Sequence, residues 1–310
     1  MTLAVVATAY GGPDVLDLVE VEVGDPGPGE VVVDVRAAGV NPADVKSYSG
    51  AWGNDPAALP KRLGFEAAGV VSAVGPDALG PAGPIRVGDE VIAYPVAGAY
   101  AQRLIVQASS VLPKPSTMAW EPAAGLLLAG VAAAHTVVAT GVSDGETVLV
   151  HGGAGGVGLT VVQLAIARGA RVVATARPAD HDLLRSLGAE PITYDGGLLE
   201  RVRAIGPVDA AIDTVGTDEA IDVSLAVVPD PHRIASLVAF GRAKDGIQTL
   251  GAGGDKGEDI RDAARLDLVR TAAAGKLTVI VARTYPLEQV RRAHEELFEP
   301  HGPGKFVLLP

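Results

Sequence analysis

Six consecutive residues, Gly153-Ala154-Gly155-Gly156-Val157-Gly158, carry the strongest chemical signal in the chain. Gly153, Gly155 and Gly158 meet the spacing G-x-G-x-x-G, which suits a loop whose backbone N–H groups close on the pyrophosphate of a dinucleotide. In a chain with 39 glycines such spacing arises by chance, so the context decides. The loop follows the run Thr147-Val148-Leu149-Val150 and opens a segment, residues 157–168, with Val161, Leu164 and Ala165 at helical spacing. In a strand–loop–helix of this kind the first glycine permits the tight turn, the second lets the backbone approach the phosphates, and the third lets helix and strand pack closely. The helix N-terminus adds partial positive charge. The chemistry this predicts is redox chemistry with a nicotinamide dinucleotide.

The next strand indicates which dinucleotide. It reads Arg171-Val172-Val173-Ala174-Thr175-Ala176 and is followed by Arg177. An NAD site offers an acid here to the ribose 2′-hydroxyl, whereas an NADP site offers a cation to the 2′-phosphate. Arg177 therefore points to NADPH, the alternative being a solvated surface arginine. Asp180 and Asp182 lie beyond a proline and are expected to cap the following helix.

These residues need a parallel sheet to hold them. From Trp120 onward strands alternate with helices: strand 147–151, helix 157–168, strand 171–176, helix 180–187 ended by Gly188, and strands 210–213 and 233–238. Such alternation implies right-handed βαβ units. The preceding part is β-rich, with Val-rich runs at 31–35, 67–74, 90–93 and 101–106 separated by turns such as Asp25-Pro26-Gly27-Pro28-Gly29. It reads as a small, partly open barrel. The tail, with a strand at 279–284, a helix at 287–298 and a strand at 305–309, is expected to return to that barrel. The division expected is residues 1–118 with 280–310, and residues 119–279. Gly251-Ala252-Gly253-Gly254 is expected to be a mobile loop.

Composition narrows the classes. The 310 residues suffice for two domains, and the 48% hydrophobic fraction supplies their cores. Aromatic residues make up only 4%, so the core leans on aliphatic side chains, as parallel sheets do. A formal net charge of −12 with no basic run opposes binding to nucleic acid or to an anionic membrane surface. There is no cysteine, which excludes disulfides, thiolate metal sites and thiol nucleophiles. Together with an N-terminus, Met1-Thr2-Leu3-Ala4-Val5-Val6, that reads as a strand, this leads to a cytoplasmic expectation. No run of about 18 apolar residues is present to cross a membrane.

The blocks Gly39-Val40-Asn41-Pro42-Ala43-Asp44, Leu63-Gly64-Phe65-Glu66-Ala67-Ala68-Gly69, Val87-Gly88-Asp89-Glu90-Val91, Gly98-Ala99-Tyr100-Ala101, the glycine loop with Gln163-Leu164-Ala165, and Gly304-Lys305-Phe306-Val307-Leu308 occur in an order and at spacings that carry a further message. Across essentially the whole chain they resemble the zinc-independent quinone oxidoreductase (zeta-crystallin-like) branch of the medium-chain dehydrogenase/reductase superfamily. The resemblance implies an α/β chain with a GroES-like, partly open β-barrel holding substrate and a Rossmann doubly wound parallel sheet holding NADPH in the cleft between them. It implies hydride transfer to a quinone or an α,β-unsaturated carbonyl, in a homodimer. Zinc-dependent relatives place Cys near position 41 and His at position 65, where this chain has Asn41 and Phe65. Its six histidines form no convincing ligand set, so no metal is expected.

Without a metal, something must stabilise the oxygen that gains charge. Asn41, Lys46 and Tyr48 are the candidates: Asn41 to orient substrate or the cofactor amide, Lys46 and Tyr48 to donate to the developing oxyanion. The plain alternatives are a turn residue before proline for Asn41, a solvated charge for Lys46 and a core position for Tyr48. By family position Tyr194 is expected near the 2′-phosphate, Val215 in the turn after the fourth strand, and Phe240 with Gly241 along the nicotinamide ribose. Many relatives carry a threonine where Ala132 stands, an aromatic residue at Lys46 and an arginine at Tyr48, which puts the substrate more in question than the cofactor. Two other readings stay open: an enoyl-thioester reductase of a biosynthetic pathway, and an NADPH-binding sensor without turnover.

Overall fold

A computed structural model describes residues 1–251 and 257–310. The loop expected at Gly251-Ala252-Gly253-Gly254 lies, from Ala252 on, outside the described residues. The chain divides into two units, Met1–Leu128 with Val279–Pro310, and Ala129–Thr278.

The first unit is organised by one long strand. Glu30–Val40 is rich in valine and alanine and is buried along most of its length, so it must be paired on both edges. It runs antiparallel to Ala67–Val74, Arg103–Gln107 and Lys305–Leu309. Register shifts at Val32/Val33 and Val35/Ala37 bend it so that a single strand serves three partners. Val111–Pro113 and Glu90–Ala93 extend one side of the sheet and Val281–Pro286 the other. The strand expected at 101–106 begins at Arg103, because Ala101 is spent on a bridge to Ala4. The helix expected at 287–298 is a 3-10 turn, Leu287–Gln289, followed by the helix Val290–Glu296. Tyr48, Tyr100, Tyr285 and Phe306 lie in this unit's core and supply its bulkiest side chains.

The change of sequence pattern near Trp120 precedes the structural seam. The short helix Trp120–Ala124 packs on Glu30–Val40 and Ala67–Val74, and it keeps residues up to Leu128 in the first unit. Small side chains allow that approach: Ala123 and Ala124 are fully buried.

The second unit is a six-stranded parallel sheet. In order of appearance its strands are Thr147–His151, Arg171–Thr175, Glu190–Ile192, Ala210–Asp213, Ile234–Ser236 and Gln248–Thr249. Their spatial order is third, second, first, fourth, fifth, sixth, and every neighbouring pair is parallel. This is the Rossmann arrangement. The order reverses between the first and fourth strands, so ligands of such sheets bind at the carboxyl ends of Thr147–His151 and Ala210–Asp213.

Within the first unit, the C-terminal strand brings Lys305 beside Glu66. The Lys305 ammonium donates to Glu66 Oε1 (3.1 Å) and to Asn41 Oδ1, and all three side chains are buried. Glu66 Oε2 accepts the N–H of Leu128 (2.8 Å). Lys305→Ala strands a buried carboxylate and is expected to destabilise the protein by about 3–5 kcal/mol in urea unfolding. Lys305→Met combined with Glu66→Gln, which removes both charges, is expected to be milder than Lys305→Met alone.

Candidate active site

The glycine loop leaves the first strand through Gly152, whose φ is +76°. The tight turn therefore falls on Gly152, one residue before the motif, and not on Gly153 as the spacing alone suggested. Gly153 serves packing: a Cβ there would lie 2.7 Å from Ala174 Cβ on the neighbouring strand. Thr175 pins the turn, its hydroxyl accepting from Gly152 N–H (3.0 Å) and its carbonyl from Gly153 N–H (2.9 Å). A Cβ on Gly158 would meet Gly152 O at 2.1 Å, so close helix–strand packing demands glycine there.

Gly155 is different. It is the N-cap of the helix Gly156–Ala167, and it has no side chain with which to cap it. A Cβ at Gly155 would approach only Gly152 O, at 3.5 Å. The fold itself does not require glycine at this position, since no neighbour crowds a side chain there. The first N–H groups of a helix lack intrahelical partners, and here Gly156, Val157 and Gly158 supply them, while the Gly155 N–H closes the turn on Gly152 O (3.1 Å). A pyrophosphate fits this donor set.

Arg177 follows the second strand. Its guanidinium donates to Asp180 Oδ2 through Nε (3.0 Å) and pairs with it through Nη2 (2.9 Å). Asp180 stands at the N-cap position of the helix His181–Ser186 but makes no side-chain cap, because its carboxylate is committed to Arg177. Asp182 pairs with Arg185 (2.8 Å) and caps nothing. The expectation that these acids cap the helix is therefore corrected: arginine competes better for both. Since Asp180 is buried, the more exposed group at this strand end is the Arg177 cation. Tyr194, two residues after the third strand, is exposed.

The turn after the fourth strand adjoins the loop, since a Cβ on Gly152 would meet Thr214 Oγ1 and Val215 Cγ2, each at 2.6 Å. Val215 is 47% exposed, Val238 38% and Phe240 50%, and Gly241 has open space around it. Three apolar side chains thus lie at the surface on the turns after the fourth and fifth strands, and the first of these turns adjoins the glycine loop. Asp213 lies in the turn 213–216 that its place at a strand's C-terminal end marks for ligand binding, whereas Gly152 and Ser236 carried no expectation. The doubled glycine Gly152-Gly153 was the available signal for Gly152; no local pattern marked Ser236.

In the first unit the three proposed substrate residues separate. Asn41 is buried: its Nδ2 donates to Gly39 O (3.3 Å) and Glu66 Oε1 (3.1 Å), and its Oδ1 accepts from Lys305. Its amide is spent inside the protein, which corrects the expectation that it orients a ligand. Tyr48 is fully buried, its hydroxyl 3.0 Å from His294 Nδ1, and His294 Nε2 lies 3.2 Å from the Tyr100 hydroxyl. It takes the core alternative and donates to no substrate oxygen from there. Lys46 is half-buried and has no hydrogen bond or ion pair among the described residues. Asp44 closes a capping box by accepting from the Asn41 N–H (2.8 Å), fixing the turn that Pro42 begins.

Burial governs the titratable groups here. It pushes the Asp44 carboxyl up to about 7, against the pull of Tyr100, the Asn41 N–H and Lys305. It holds His294 down at about 4, and His151 likewise at about 4 against the opposing charge of Asp213. Both histidines are neutral at pH 7 and serve as hydrogen-bond partners, His151 Nε2 lying 3.0 Å from Ser224 Oγ.

Comparison with known proteins gives consistent matches. Residues 27–138 match the family described as alcohol dehydrogenase GroES-like domain, and residues 187–308 match that described as zinc-binding dehydrogenase. The chain is 33% identical over 330 residues to a quinone oxidoreductase of Salmonella typhimurium, with 97% of each chain covered. A mycobacterial protein solved in complex with NADPH is 31% identical, with a TM-score of 0.86 and 100% of both chains covered. The CurK enoyl reductase is 26% identical, with a TM-score of 0.87 and 99% of both chains covered.

Two outcomes follow from this geometry. Gly155→Ala should keep stability within about 1 kcal/mol yet weaken dinucleotide affinity by about tenfold or more. Gly158→Ala should cost about 3 kcal/mol of stability. Thermal unfolding and cofactor titration of both variants check the contrast. The second outcome concerns pH. Unfolded histidines titrate near 6.5 and aspartate near 3.9, so between about pH 6.5 and 4.5 the unfolded chain holds two extra protons on His151 and His294 and one fewer on Asp44. That net excess of one proton lowers the unfolding free energy by about 1.4 kcal/mol per unit as pH falls, and urea midpoints measured across this window test it.

Proposed function

The chain belongs to the quinone oxidoreductase branch of the medium-chain dehydrogenase/reductase superfamily, and on that premise we propose that it is an NADPH-dependent oxidoreductase acting on a quinone or an α,β-unsaturated carbonyl. The observation that carries this reading is the uncapped helix N-terminus at Gly155, open to a phosphate and set at the switch point of a parallel sheet. When bound, NADPH supplies the hydride. Gly153, Ala154, Gly155, Gly156, Val157 and Gly158 line the pyrophosphate; the N–H groups of Gly156, Val157 and Gly158 donate to it, while those of Gly153 and Gly155 are bound to Thr175 O and Gly152 O. Arg177 and Tyr194 take the 2′-phosphate end, Arg177 as a cation steadied by Asp180. Val215, Phe240 and Gly241 border the nicotinamide ribose. The first unit takes the substrate, and Lys46 is the donor to the acceptor oxygen, while Asn41 and Tyr48 hold its surroundings from within.

The reaction in this reading needs no metal. Support comes from the sequence: no cysteine, and Phe65 and Asn41 at positions where zinc-dependent relatives carry ligands. Among the described residues no three His, Cys, Asp or Glu side chains group as a metal site would require. The enoyl reductase relative supports activated alkenes as acceptors alongside quinones. The homodimer belongs to the same reading and is checked by light scattering.

NADPH oxidation with 1,4-naphthoquinone, a simple enone and an enoyl thioester tests the activity and separates the acceptor classes. Tight NADPH binding with no turnover on any of them would instead favour a sensor. Arg177→Ala is expected to raise the NADPH dissociation constant by about tenfold or more while changing that for NADH by less than about threefold; equal changes would overturn the assignment. Activity is expected to survive EDTA, and its loss with recovery on adding Zn²⁺ would overturn the metal-free reading.

A further inference from the structure

The first, fourth and fifth strands of the parallel sheet end side by side, and their exit turns are tied together by side chains with no contact role assigned above. The Asp213 carboxylate is fully buried and saturated. Its Oδ1 accepts from the N–H groups of Val215 (3.0 Å) and Gly216 (3.0 Å), and its Oδ2 from the Ser236 hydroxyl (2.6 Å). The Ser236 oxygen accepts in turn from the N–H groups of Val238 (3.1 Å) and Ala239 (2.9 Å). Thr214 ties the same turn to the glycine loop by donating to His151 O (2.8 Å). The two turns also touch directly: Gly216 has φ +81°, and a Cβ there would lie 2.6 Å from Val238 Cγ1.

One carboxylate and one hydroxyl therefore set the spacing of two turns, and each turn ends in exposed apolar side chains: Val215 on one, Val238 and Phe240 on the other. A rigid backbone that presents uncovered apolar groups is built to be covered. Next to a phosphate cradle, the shape and polarity of this ledge suit one face of a flat heteroaromatic ring. We propose that Asp213 and Ser236 are positioning residues for the nicotinamide end of the cofactor, which they orient by fixing this ledge without touching the ring. The proposal rests on the NADPH reading above. Its consequence is a split: the glycine loop and Arg177 hold the distant end of the cofactor, so loss of the tie should spare affinity and damage hydride transfer.

The test uses the full chain with Ser236→Ala and Ser236→Thr. For Ser236→Ala the NADPH dissociation constant should stay within about threefold of wild type, while kcat with 1,4-naphthoquinone falls by about tenfold or more at little-changed KM. NADPH deuterated on one face of C4 should transfer its label with single-face selectivity in wild type and with reduced selectivity in Ser236→Ala. Ser236→Thr, which keeps the hydroxyl, should restore both. A readout without turnover is amide hydrogen exchange: NADPH should protect residues 214–216 and 237–240 in wild type and Ser236→Thr, and less in Ser236→Ala. Should Ser236→Ala not fold, Val238→Ser and Phe240→Ala break no buried hydrogen bond and should give the same split. Unchanged kcat and facial selectivity, or parallel losses of affinity and kcat, would overturn the proposal. If wild type turns over but NADPH gives no protection at these turns, the proposal falls alone. If NADPH protects them and no acceptor is reduced, the hydride-transfer reading falls while the positioning role stands.

Discussion

A single buried carboxylate organises the barrel unit. Glu66 is withdrawn from water and takes donors from three distant segments: the Asn41 amide, the Lys305 ammonium and the Leu128 N–H. A charge so placed is tolerable only when every donor arrives. That requirement reaches into the backbone, because Gly39 has no Cβ to spare: one would lie 2.4 Å from Glu66 Oε1. It also reaches along the chain, since Lys305 sits on the last strand and pairs its strand with the one ending at Val40. Such a contact joins residues more than 200 positions apart, the kind of long-range closure that slows folding in general.

The second unit repeats the device with different geometry. Asp213 is also buried and saturated, and it also draws its donors from backbone turns and a neighbouring strand. Both carboxylates are occupied as acceptors: Asp213 fixes turn backbone, and Glu66 holds two side chains and the N–H of Leu128 at a helix start. The neutral, buried His151 and His294 fit the same pattern. The titratable groups of the interior hold shape, so the chemistry is left to what binds in the turns they hold.

This division explains what could be read from the sequence. The glycine loop, the alternation of strands and helices, and the acid-free end of the second strand are local features, and their period or spacing encodes them directly. The strand 147–151 and the strand 305–309 have the expected bounds for that reason. Asn41 and Tyr48 were not legible in the same way. Their side chains are committed to Lys305 and His294, which come from the far end of the chain, and no spacing near position 41 announces that partner. Asp180 shows a finer limit: its place before a helix predicts a cap, but an arginine three residues earlier takes the carboxylate. Gly152 was hidden by the motif itself, which draws attention to the glycine beside it.

Four of the five glycines at residues 152–158 obey two different masters. Gly152, Gly153 and Gly158 are demanded by the protein's own backbone and neighbours, so any folded descendant must retain them or rebuild the turn. Gly155 is demanded by no neighbour, and in the NADPH reading its missing Cβ leaves room for the ligand. A lineage that gave up the cofactor could place a side chain at 155 and still fold, keeping the other three glycines. Position 155 is therefore where an abandoned activity would leave its mark in sequence while the fold gave no sign of the loss.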